Sequence, residues 1–269
     1  MDVALQILLL KLAIAPGFIG IVSLVALRYG HRTAGWLVAL PINTGTIVFI
    51  LVLTEGPAFA ATAAVGALLG IVSLSVFAIG YARSATRFSW PVCLGVASAG
   101  FVASTLVLAQ LPEFVALDLL AAVLAIVTVL FLLPRRDDPE PSSPAPRWEI
   151  PLRMLTAALL VLGITTAADN LGPRLSGLLS PVPVFTITLA VFTHSRQGPA
   201  PVFAFMRGLQ YGLFSFAAFC AVVGVLLLPL GLGLAVGAGL LAFLGVYGLV
   251  RVVLDRVSKT GKPGVGSPS

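Results

Sequence analysis

Long unbroken runs of apolar residues follow one another along the chain, separated by short breaks rich in glycine, proline or charge. A helix rising 1.5 Å per residue needs about 20 apolar residues to cross a hydrocarbon core of roughly 30 Å. Nine such runs are read, at 4–27, 34–54, 58–81, 89–110, 114–133, 151–171, 174–194, 201–228 and 230–252. None has the alternation of apolar and polar positions that a membrane β-barrel strand requires. The pattern predicts an all-α, polytopic membrane protein with nine transmembrane helices. Composition agrees, because 59% of the 269 residues are hydrophobic and 10% charged, whereas soluble domains carry about 25% charged residues. The opening MDVALQILLLKLAIAPGF lacks a basic n-region and a small-residue cleavage site, so it reads as the first membrane helix and not as a signal peptide.

Charge then orients the helices. With nine crossings, Arg28, Arg32, Arg83, Arg87, Arg135, Arg136, Arg147, Arg153, Arg196, Arg207, Arg251, Arg256, Lys259 and Lys262 fall at or near one side. Arg174 falls on the other, and Lys11 lies inside the first helix. The basic side is expected to be cytoplasmic, with the N-terminus outside and the C-terminus inside a cell (inner or plasma) membrane. The net charge of +6 is therefore an orientation signal, and no nucleic-acid partner is expected. Splitting 201–252 into three helices would send Arg251, Arg256, Lys259 and Lys262 outside, which excludes a tenth crossing. Residues 134–150, PRRDDPEPSSPAPRWEI, have linker composition, and 256–269 read as a disordered cytoplasmic tail.

The chain also repeats itself. A shift of 142 residues without a gap sets Lys11 over Arg153, Gly30 over Gly172, Arg32 over Arg174, Gly35 over Gly177 and Pro41 over Pro183. The same register pairs Thr44 with Thr186, Thr46 with Thr188, Gly56-Pro57 with Gly198-Pro199, Gly66 with Gly208, Gly70 with Gly212 and Ser73 with Ser215. Matches at Leu and Ala carry little weight in membrane segments, but glycines, prolines and threonines in one register imply duplication. The predicted organisation is a first four-helix repeat (1–112), a connecting helix with cytoplasmic linker (113–150), a second four-helix repeat (151–255) and the tail. The odd helix at 114–133 changes parity, so the second repeat is expected to be inverted. Inverted repeats are the architecture of many secondary transporters.

The unit LK, an apolar helix, GWLVALPINTGTIVF and a third helix ending SLSVFAIGYA resembles the GlpM-type family of small four-helix inner-membrane proteins. The resemblance holds for each half separately and implies a dual-topology ancestor whose antiparallel dimer became fused into one chain. It carries no catalytic residue over to this sequence, and the second half departs from it with Arg153 in place of lysine.

The candidate chemistry lies at the two proline motifs, LPINTGT from Leu40 and SPVPVFTIT from Ser180. Proline removes a backbone donor and clashes with the preceding turn, and such a break at membrane depth must be buried in protein or line a polar cavity. The substrate-binding candidates are Lys11, Pro41, Asn43, Thr44, Gly45, Thr46, Pro183, Thr186 and Thr188, with Asp118 a charge partner for Lys11. The alternative is that prolines kink the helices, threonines bond back to their own turn and Lys11 snorkels to the headgroups. The GALLG at Gly66 and Gly70 and the GLQYG at Gly208 and Gly212 have helix-packing spacing. His31 and His194 are assigned to cytoplasmic loops, and Cys93 and Cys220 to apolar segments. No nucleophile motif, metal-ligand spacing or phosphate loop is present, so neither enzyme activity nor a cofactor is expected. Two functions remain open: a transporter or permease of a small solute working by alternating access, and a non-transporting accessory or scaffolding protein of a membrane assembly.

Overall fold

The computed structural model describes residues 3–112, 114–133, 148–163 and 183–260, with side chains described except at 3–15, 42–43 and 257–260. Every regular element among the described residues is helical. These are α1 (Val3–Tyr29), α2 (His31–Val38), α3 (Ile42–Thr54), α4 (Pro57–Ser84), α5 (Trp90–Leu108), α6 (Val115–Leu132), α7 (149–163), α8 (Val184–Gln197) and α9 (Pro199–Thr260). Of these, α4, α5, α6 and α9 are long and apolar enough to cross a membrane. Their apolar character runs round the whole helix, as expected where the far face meets lipid.

The breaks lie where the residue types require them. Pro41 divides the run 34–54 into α2 and α3, standing immediately before α3 as its N-cap, with φ −78° and ψ 25°. Pro183 stands in the same way before α8, with φ −79° and ψ 59°. The two short helices then end at Gly56 (φ 94°) and Gly198 (φ 80°), left-handed conformations that favour glycine. Each of these glycines is followed by a proline that opens a long helix, Pro57 of α4 and Pro199 of α9, where a missing N–H costs nothing. The 62 residues of α9 are not one rod. Gly231 is non-helical (φ 75°, ψ 171°), two residues after Pro229. A Cβ on Gly239 would lie 2.7 Å from Val223 and 3.0 Å from the Phe219 ring, so the chain after the break folds back on the arm before it. That hairpin divides 199–260 where the apolar pattern divides it.

The first arm of α9 is the centre of the bundle, packing against α2, α4 and α6. Glycine makes the closest approach possible: a Cβ at Gly208 would sit 1.9 Å from the Arg32 carbonyl oxygen, and one at Gly35 would sit 2.1 Å from that of Phe205. Gly212 lies against Ala39 and Trp36 of α2, so the GLQYG spacing is a helix-packing site. Tyr81, Phe77, Phe203, Phe205, Phe219, Leu68 and Ile71 fill the core between α4 and α9. The α7 helix meets α1 where Met154 packs on Gly20.

Three expectations are corrected. His31 and His194 are not in loops, because His31 opens α2 and His194 lies in the last turn of α8. Glu149 does not belong to the linker, since α7 begins there and buries it to 3% exposure. The helix at the C-terminal end continues to Thr260, so 256–260 are helical backbone and the assigned tail starts too early. Residues 164–182, with Asp169, Arg174 and Gly177, and residues 134–147 and 261–269 lie outside the described residues.

Candidate functional site

Both proline motifs are organised by their carbonyls. The Pro41 carbonyl accepts from the Gly45 N–H at 2.8 Å, and the Pro183 carbonyl accepts from the Ile187 N–H at 2.7 Å, each starting its short helix. Before Pro41 the chain tightens, with the Ala39 and Leu40 N–H groups donating to the carbonyls of Trp36 and Leu37. Pro41 and Pro183 are buried; Thr44, Gly45 and Thr46 are half-buried, with Gly45 turned toward the Phe219 ring of α9. Thr186 and Thr188 are each 1% exposed. The Thr188 hydroxyl donates to the Val184 carbonyl at 2.8 Å, the local back-bond expected of a threonine in an apolar helix. Phe185, in the first turn of α8, packs against Phe18 of α1, with ring centroids 4.9 Å apart and the rings tilted by 56°. The side chains of Lys11 and Asn43 lie outside the described residues. Asp118, in the first turn of α6, is buried, and its Oδ2 has no partner among the described residues.

A second polar layer, not anticipated from the sequence, lies where α4 crosses α9. The Ser75 hydroxyl donates to Gln210 Oε1 at 3.1 Å, with both residues fully buried. Gln210 Nε2 and the hydroxyl of Ser215 have no partner among the described residues. An amide in an apolar span is the signal that points to it, since an unsatisfied buried polar group costs about 1–3 kcal/mol.

One end of the bundle is tied together by the last turn of α8. His194 Nδ1 lies 3.4 Å from the Tyr81 hydroxyl of α4. Gln197 Oε1 lies 2.8 Å from His31 Nε2 of α2. Arg196 stacks over Trp148 at 4.7 Å and reaches Glu149, which is paired with the buried Arg153 of α7. Three side chains of one turn thus grip α4, α2 and the start of α7. The last turn of α3 differs: Leu53, Thr54 and Glu55 are exposed, and the Thr54 hydroxyl is bonded within its own helix to Ile50.

At the same end, Arg207 of α9 donates to the carbonyls of Leu130 and Leu133, the last turn of α6, at 3.2 and 3.0 Å. Tyr247 packs edge-on to Trp36 at 4.7 Å and brings the second arm of α9 to that end as well. Arg28, Arg32, Arg83, Arg153, Arg196 and Arg207 therefore gather at one end of the described bundle. No group of three or more His, Cys, Asp or Glu side chains that could hold a metal occurs among the described residues. Cys93 and Cys220 are buried free thiols.

No family model, curated protein or solved structure matches the chain.

Proposed function

We propose that the protein is a small-solute carrier of a cell membrane, built from two inverted four-helix repeats joined by α6 and working by alternating access around the two proline breaks. The reading gives nine crossings, with the N-terminus outside and the arginine-rich end cytoplasmic. The observation that carries it is the match of backbone breaks in one register. Pro41 caps a 13-residue helix and Pro183 a 14-residue helix, and each ends in a left-handed glycine followed by the proline of a long helix. Short helices between two fixed breaks can tilt as units against the long helices, as rocking about a midplane site requires. In this state the cytoplasmic end is closed by the grip of His194, Arg196 and Gln197. Opening it means withdrawing the last turn of α8, with Gly198 and Pro183 as its pivots. Substrate binding falls to Asn43, Thr44, Gly45 and Thr46, to Thr186 and to Lys11. With little intramembrane charge available, a neutral or singly anionic solute suits them.

The bond from Thr188 to Val184 favours the second reading, a non-transporting scaffold, at that one position, since it leaves the hydroxyl engaged locally. A flux panel of small neutral and monoanionic solutes in proteoliposomes decides between the two. The carrier moves at least one solute faster than protein-free vesicles and loses that flux in Asn43→Ala and Thr44→Val at equal reconstitution. No protein-dependent flux for any solute leaves the scaffold.

A further inference from the structure

Where α6 ends against α9, a surface recess of about 300 Å³ is lined by Val127, Leu130, Phe131, Arg207 and Tyr211. Its apolar wall lies at the surface of the bundle, with Phe131 76% exposed. Its head is cationic. Arg207 carries five N–H donors, of which three are engaged, two by the Leu130 and Leu133 carbonyls and one by the Tyr211 hydroxyl. All three partners are neutral, and no acid is paired with Arg207 among the described residues. Arg32 adds a second guanidinium 5.0 Å from the centre of the Tyr211 ring. The carbonyls of α6 hold Arg207 in place, which leaves an anchored cation at the mouth of an apolar groove.

We propose that this recess binds an anionic phospholipid, its phosphate against Arg207 and an acyl chain along Val127 and Phe131. A cation above an apolar wall at the arginine-rich end of a membrane bundle matches the two halves of such a lipid, and basic pockets between membrane helices hold anionic headgroups in this way. A free anion would use the cation and leave the apolar wall unmatched.

Trp36 reports on the site, because its ring lies 6.1 Å from that of Tyr211. The full chain, with Trp90→Phe and Trp148→Phe so that Trp36 is the single tryptophan, is reconstituted with brominated phosphatidylglycerol or brominated phosphatidylcholine, and quenching is compared. The expected result is about fivefold enrichment of phosphatidylglycerol, the ratio given by ~1 kcal/mol for Arg207, the basic residue that lines the recess. The preference should be lost in Arg207→Gln. It should also be lost in Val127→Phe, which fills the recess and leaves the α6 carbonyls on Arg207 intact. Equal quenching by the two lipids, or a preference that survives Val127→Phe, overturns the proposal. So does relief of quenching by inorganic phosphate at matched ionic strength, which assigns the cation to a free anion. A preference that emerges only after Asp137→Asn, Asp138→Asn and Glu140→Gln overturns it too, because those carboxylates then hold the recess.

Discussion

Gly208→Ala sets two physical effects of opposite sign against each other. In an isolated helix the change stabilises, since glycine costs roughly 0.5–1 kcal/mol relative to alanine in a helix interior. Here the new methyl would lie 1.9 Å from the Arg32 carbonyl oxygen and 2.8 Å from its carbon. Both atoms are backbone and cannot rotate away, so α2 must retreat from α9 by about 1–1.5 Å, the shift that restores a carbon–oxygen contact near the ordinary 3.3 Å. A radial gap of 0.5–1 Å already forfeits a quarter to a half of each contact's dispersion energy. The facing Gly35, Trp36 and Ala39 contacts would open together. Overpacking of this kind costs about 1–3 kcal/mol, and the immobile backbone partner places Gly208→Ala near the upper end. The control is Gly245→Ala in the second arm of α9, where a Cβ meets nothing within 4 Å. Thermal unfolding in detergent, followed by loss of the monodisperse peak, should show Gly208→Ala melting well below the parent and Gly245→Ala at or above it. Equal stability of the two variants would refute the close crossing of α2 on α9.

Other substitutions separate the remaining contacts. Arg153→Met leaves the buried Glu149 with only the longer 4.0 Å contact to Arg196 and should destabilise by about 3 kcal/mol, while Arg153→Met with Glu149→Leu should recover most of that loss in denaturant titration. Gly198→Ala forces a side chain into a left-handed conformation and should cost about 1–3 kcal/mol, read as a lowered unfolding midpoint. Thr188→Val removes only the bond to Val184, so stability should fall by about 0.5–1.5 kcal/mol and solute flux, where present, should persist.

The helix content, the break at Pro41, the start of α8 at Pro183 and the break at Pro229-Gly231 were legible because they depend on local chemistry: apolar length, a missing donor and a left-handed glycine. The GLQYG packing site was legible for the same reason, since small residues at that spacing admit a neighbouring helix whichever helix it is. What connects distant segments was not. The Tyr81–His194 and His31–Gln197 pairs span 113 and 166 residues, and polar residues beside helix ends read equally well as loop. Glu149 and Arg153 stand at an (i, i+4) spacing that supports a helix, yet the proline-rich composition just before them drew the linker boundary two residues too far. Of the candidate site, the sequence located both proline caps. It did not find Gln210, whose place at the α4–α9 crossing becomes apparent only when the two long helices are packed.

Water at membrane depth separates a carrier from a closed scaffold. With Cys93→Ala and Cys220→Ala as background, single cysteines at Thr44, Thr46, Thr186 and Thr188 are exposed to a membrane-impermeant maleimide in intact cells and in inside-out vesicles. A cysteine at Leu120, which faces outward from α6, serves as the lipid-facing control. Alternating access predicts labelling at 44 and 46, together with slow labelling at 186 and 188 in inside-out vesicles that accelerates when His194→Leu releases the last turn of α8. Four positions as unreactive as Leu120, with or without His194→Leu, would contradict it.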